Sequence, residues 1–255
     1  MEREKIKKIL FLLAYVFLAC LLILWLKPYY FFSILIVLLP PALVNFLWLK
    51  RSRKKILAFS LLSTLFFAPP VELAARLANV WDVQSIFPRP FDLIPLENML
   101  FAFLNVFWVL SFYEYFVDRD TVSSVSKKLK YLLGIYCLAT VSIYSLYFYN
   151  HEIIALNYFQ LAVPVLIIPS LIFFLTIPHL HKIKKAILPT AFFALVFFVY
   201  ELVSLRIGNW WWPGEYFFSL TIGGKIFPLD DIIIWYLLST PVLIGGYEFF
   251  ADDWS

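Results

Sequence analysis

Charge is scarce in this chain. Only 15% of its 255 residues are Asp, Glu, Lys or Arg, while 63% are hydrophobic, so a water-soluble globular domain is excluded and a polytopic membrane protein is expected. Glycine is also sparse, with seven in all and no Gly-rich phosphate or dinucleotide fingerprint among them; Gly223-Gly224 reads as a turn. The two cysteines, Cys20 and Cys137, both lie inside apolar runs, too few and too deep for a disulfide framework. Of the three histidines, His179 and His181 flank a basic loop and His151 stands alone, so no histidine metal site is expected. No nucleophile elbow or Cys-His pairing is present. The net charge of +4 does not point to nucleic acid, because the basic residues sit in short connections between apolar runs, where membrane topology accounts for them.

What is abundant is apolar length. A span needs about 20 apolar residues, and eight are read at 9–26, 29–49, 56–78, 93–117, 130–149, 155–178, 186–206 and 229–250. The opening MEREKIKKILFLLAYVF has no small-residue cleavage pattern after it, which makes it a retained first helix. Sixteen of the 21 Lys and Arg residues fall at the N-terminus, at 50–55, at 119–130 and at 182–185; Lys27, Arg76, Arg89, Arg206 and Lys225 face the other side. The positive-inside rule then puts both termini in the cytoplasm of a multi-pass cell-membrane protein. The expected fold is all-α, a membrane helix bundle of about eight spans built from two parallel four-helix repeats, 1–128 and 129–255. Lys54-Lys55 opens a run to Glu72, Arg76 and Trp81, as Lys184-Lys185 opens one to Glu201, Arg206 and Trp210; PLEN at 95–98 and PLDD at 228–231 follow. Each unit closes on Tyr-Glu, at 113–114 and 247–248, with Asp118 or Asp252 beyond.

Acids inside spans are costly unless paired, watered or neutralised, and mark function. Glu72 and Glu201 come late in one set of helices, Glu97, Asp230 and Asp231 early in the next, which gives one acidic cluster at a common depth near Trp81 and the Trp210, Trp211, Trp212 run. Plainer roles remain open for each: an i,i+4 salt bridge of Glu72 with Arg76, or N-terminal acids favoured by the helix dipole at Glu97, Asp230 and Asp231. A divalent ion on those three also stays open, although no metal is assigned. Glu114, Glu248, Asp118 and Asp252 form a second, structural tier that pairs with Arg119 and the basic loops. The aromatic loops at 79–91 and 208–227 serve either as an interfacial belt or as a lid over a dry cavity.

In YELVSLRIGNWWWPGEYFFSLTIGGKIFPLDDIIIWYLL, and in VELAARLANVW followed by PLENML, the chain resembles the membrane-embedded lycopene β-cyclases, whose two homologous domains carry such motifs in this order. It departs from them where Asn98 replaces the second acid of the first copy and where Asp-Asp stands for the commoner Glu. The resemblance implies non-redox, acid-catalysed closure of the ends of a linear carotenoid to β-ionone rings, without cofactor. Glu97, Asp230, Asp231, Glu72 and Glu201 would be catalytic, and Trp81, Asn98, Trp210, Trp211 and Trp212 would bind substrate. A protonated carboxyl would protonate the terminal alkene, the cation would close the ring, and aromatic faces would stabilise it without adding to it. The lipid bilayer, a second copy of the chain or other carotenoid enzymes are the expected partners. A hydratase admitting water to the cation, and a non-catalytic carotenoid-binding or ion-coupled membrane protein, are the alternatives.

Overall fold

The computed structural model describes residues 2–118, 123–176 and 180–252, and is helical over most of that length. Among the described residues seven helices are long and apolar enough to cross a membrane. They are α1 (Glu2–Leu26), α2 (Tyr30–Trp48), α3 (Arg53–Leu77), α4 (Leu96–Asp118), α5 (Leu129–Ile154), α7 (Leu180–Ile207) and α8 (Leu229–Phe250). The expected span at 155–178 corresponds to α6, a helix over 158–176 whose apolar stretch Tyr158–Ile172 is shorter than the others. Arg119 and His179 lie outside the described residues, as do the side chains of His181, Lys182 and Lys184.

Several of these helices are not uniform, and proline explains part of the irregularity. α2 breaks at Leu38, just ahead of Pro40-Pro41. α3 and α6 each contain one π-helical turn, Ser63–Phe67 and Val163–Ile167. Proline has no N–H for the carbonyl four residues back and its ring crowds that carbonyl. For Pro69 and Pro169 those carbonyls belong to residues 65 and 165, inside the two π turns. α8 has a further π turn, Ile232–Tyr236, with no proline at the matching offset, and α4 ends in another, Glu114–Asp118.

The helices pack with α4 and α8 side by side at the centre. α3 lies against α4 and α7 against α8; α2 covers α4 and α6 covers α8. α1 packs on α7, and α5 packs on α3, so each outer helix reaches across to the other half of the chain. The core between α2, α4 and α7 is dense with rings: Trp108, Phe112 and Phe193 are fully buried, and Phe112 stacks on Phe192 at 4.3 Å between centroids. α5 is the most peripheral span, with Tyr131, Leu138, Val141 and Phe148 exposed as lipid-facing side chains require.

The loops after α3 and α7 meet. Strand β1 (Asp82–Val83) pairs antiparallel with β2 (Trp210–Trp211), Asp82 opposite Trp211 and Val83 opposite Trp210. Gln84 N–H extends this ladder to Asn209 O at 2.7 Å. Gly214 is required nearby, since a Cβ there would stand 3.0 Å from Asn79 O and 3.3 Å from Val80 Cα. Strands β3 (Ser219–Ile222) and β4 (Lys225–Pro228) form a hairpin that leads into α8.

Candidate active site

A cavity of about 670 Å³ opens between α3, α4, α5, α6, α7 and α8, within the size range of ligand sites. Its wall on α8 runs from Asp231 to Phe250, so it extends roughly 27 Å down the bundle. Most of that wall is apolar. Its acidic side chains collect at the end where Trp81, Trp210, Trp212 and Trp235 converge.

Two matched hydrogen-bonded sets stand at this end. In one, the Glu201 and Asp231 carboxyls are close neighbours, Trp212 Nε1 donates to Glu201 Oε1 at 2.7 Å, and the Tyr158 hydroxyl donates to Asp231 Oδ1 at 3.0 Å. In the other, Glu72 lies beside Asn98 and accepts from Trp81 Nε1 at 3.2 and 3.3 Å to its two oxygens. Glu201, Asp231, Glu72 and Asn98 are all buried and all line the cavity. For two such carboxyls to share a hydrogen bond one of them must carry a proton, because an ionised carboxylate only accepts. Trp81 meets Trp212 and Trp235 edge to face at 6.2 and 5.6 Å, so indole rings roof the set.

Glu97 and Asp230 are not brought into this cavity. Glu97 accepts from Ser85 Oγ at 2.8 Å and from the Ile86 and Phe87 N–H groups at 2.6 and 3.2 Å. Asp230 accepts from Phe217 N–H at 2.7 Å and Phe218 N–H at 3.3 Å. Both carboxylates therefore anchor the preceding loop to a helix start. Trp211 also turns away: it is 40% exposed on β2, while its neighbours Trp210 and Trp212 line the cavity. The salt bridge left open for Glu72 is not made. Arg76 Nη2 pairs instead with Asp82 at 2.6 Å, and Arg89 joins that carboxylate at 3.1 Å. Burial opposes ionisation of Asp82, but the two guanidinium groups and the Val83 N–H outweigh it and hold its carboxyl below the usual range.

Tyr158 and Trp235 are site residues that sequence reasoning missed. Tyr158 belongs to α6 and carries no motif around it; its one signal is a tyrosine at the start of an apolar helix with Asn157 as cap. Trp235 sits in the π turn of α8, four residues past Asp231 and thus above the same face.

The opposite end of the bundle holds the second tier as crossed ion pairs. Lys55 of α3 bonds Glu114 at 2.7 Å and also Asp252, while Lys185 of α7 bonds Asp118 at 2.9 Å. Tyr247 donates to Glu114, and Tyr113 lies beside Glu248; Ser52 Oγ adds a bond to Glu114 at 2.8 Å. Oxygens of Glu114, Asp118 and Asp252 lie within 4.8 Å of one another, close enough to hold a metal ion, but Lys55 already supplies positive charge there.

The spacing between the two tiers differs by one residue in each matched pair of helices. Seventeen residues separate Lys55 from Glu72 and sixteen separate Lys185 from Glu201; sixteen separate Asn98 from Glu114 and seventeen separate Asp231 from Glu248. The longer interval in each comparison is the one that contains a π turn, at Ser63–Phe67 in α3 and Ile232–Tyr236 in α8. Both of these turns line the cavity. Comparison of the chain with protein-family models, with curated proteins and with solved structures finds no match in any of the three.

Proposed function

We propose that the chain is a membrane enzyme that closes rings at the ends of a linear, lycopene-type carotene by proton transfer, without redox change or cofactor. The observation that carries this is the Glu201–Asp231 carboxyl pair, buried without a cationic partner at the aromatic end of a long apolar cavity. In this reading the proton held between those carboxyls passes to the terminal alkene carbon. The tertiary cation is attacked by the neighbouring alkene, and the ring-adjacent proton returns to the carboxylate just formed, or to Glu72 across the cavity. Atoms balance, so the product is an isomer. Trp81, Trp212 and Trp235 present π faces and edges that stabilise cationic charge yet cannot capture it as water would. Asn98 holds Glu72 where the other half holds a second acid, which assigns the donor to the α7–α8 side.

The matched tiers support two parallel four-helix units, 1–128 and 129–255, each with one insertion absorbed as a π turn. With α6 counted, the units supply eight spans. The lysine-rich end then faces the cytoplasm, with both termini, in the cell membrane.

Expression in a lycopene-accumulating host tests the reading. Extracted pigment should shift to cyclic products of unchanged mass. Glu201→Gln and Asp231→Asn should each cut that conversion by about 100-fold or more, the scale of general acid catalysis. Glu97→Gln and Asp230→Asn, which release a loop, should cost less. Unchanged pigment would overturn the reading in favour of a carrier or binding protein, and a mass gain of one water would make it a hydratase.

A further inference from the structure

A second group of polar side chains faces the cavity halfway down its length, where the ring-closing chemistry has no use for them. Ser63 and Thr64 stand on α3, Asn105 on α4, Ser239 on α8 and Tyr136 on α5, all in the cavity wall. Measured along each helix at ~1.5 Å per residue, Thr64 lies roughly 12 Å below Glu72, Asn105 roughly 10 Å below Asn98, and Ser239 roughly 12 Å below Asp231. Three independent helices thus bring polar atoms to one level. Thr64 is 8% exposed and its Oγ1 has no hydrogen-bond partner; Asn105 Oδ1 also lacks one. Ser63, 4% exposed, is within reach of the Tyr136 hydroxyl.

A hydroxyl and an amide oxygen left unpaired in an apolar wall are unfavourable, so such groups are normally satisfied by something. The π turn at Ser63–Phe67 puts Ser63 and Thr64 at the start of the widened stretch of α3. The equivalent stretch of α7, which has no π turn, carries Phe193 and Ala194 and is packed solid. At this level the cavity wall is therefore polar on α3, whereas α7 meets the cavity only nearer the acid end, at Phe197 and Glu201.

We infer that this belt binds an oxygen atom on a ligand: besides a hydrocarbon carotene, the cavity takes, and prefers, a linear isoprenoid chain with a hydroxyl or carbonyl about 12 Å from the alkene that meets Glu201 and Asp231. The distance rests on the reading of those carboxyls as the reacting end; the belt itself does not. Thr64 and Ser63 can donate to or accept from a hydroxyl, and the Asn105 Oδ1 accepts from it, which suits an alcohol better than a carbonyl. A hydrocarbon of the same length would fill the same space but leave the belt unsatisfied.

Purified protein in detergent gives the test, because four tryptophans line the cavity and report occupancy by fluorescence. The probes are farnesol, whose hydroxyl lies roughly 12 Å from its terminal alkene by bond lengths of about 1.5 Å, and farnesene, the corresponding hydrocarbon. Farnesol should bind about threefold to tenfold tighter, the worth of one or two hydrogen bonds. Geraniol and geranylgeraniol, one isoprene unit shorter and longer, should lose that advantage. Thr64→Val combined with Asn105→Leu should bring the farnesol-to-farnesene ratio to about one, and Thr64→Ser should restore it with Asn105 intact. A structural loss would weaken both probes and leave their ratio unmoved. Equal binding of the two probes by the unaltered protein, or a ratio untouched by the double substitution, overturns the inference and assigns the belt to water. Glu201→Gln and Asp231→Asn separate the two proposals, since they should abolish ring closure while the probe ratio persists. If lycopene is not cyclised but the ratio holds, the enzymatic reading falls and the belt stands.

Discussion

Asp230 and Asp231 are neighbours in sequence with opposite tasks, because successive residues on a helix point about 100° apart. One turns to the backbone of the loop before α8, the other into the cavity toward Glu201. Residue type and depth were readable from the sequence; direction was not, since it depends on how the loop folds back. The same holds for Trp211, indistinguishable from its two neighbours until β1 and β2 pair. Lys55 is the clearest residue-scale test of stability. Its side chain is fully buried between Glu114 and Asp252, and Lys55→Met would leave those carboxylates without their ammonium, a loss of about 3–5 kcal/mol that thermal unfolding in detergent should register. Asp82 gives the acid-side counterpart. Its carboxyl ionises below the usual range, so the contacts with Arg76 and Arg89 are complete above about pH 4 and fail as pH falls through the lowered value. Asp82→Asn should therefore melt earlier than the unaltered protein at neutral pH, with the gap closing as the solution is acidified.

Among the elements, the π turns have the largest effect for the smallest change. Those in α3 and α8 each add one residue between the ion-pair tier and the acid tier, and each widens the helix where the cavity lies. Pro69 and Pro169 hinted at irregular helices, but the sequence could not say whether the result would be a kink or a wide turn. The α8 turn had no such sign, and its place becomes visible only when Asp231 to Glu248 is compared with Asn98 to Glu114. Deleting Ile234 should return that stretch to regular α-helix and equalise the two intervals. The protein should still insert and melt cooperatively, while conversion of lycopene drops at least tenfold, because Trp235 and Tyr236 would move out of the cavity wall; pigment analysis beside a melting curve distinguishes these effects.

For the molecule as a whole, length and hydropathy were enough to locate seven helices long and apolar enough to cross a membrane among the described residues. What they could not convey is the exchange of partners between halves: α1 lies on α7, α5 on α3, Lys55 reaches Asp252 and Lys185 reaches Asp118. Long-range pairing of this kind leaves no local trace in the chain. It predicts that two separately expressed pieces, 1–123 and 124–255, are each inactive but recover pigment conversion when produced together. It also bears on how the cavity could open. The β1–β2 ladder joins the loop that carries Trp81, the indole bound to Glu72, to the loop that carries Trp212, the indole bound to Glu201. Displacing either indole by an arriving ligand therefore tugs on both carboxyl sets through a shared pair of strands, and the two halves must respond to occupancy in concert.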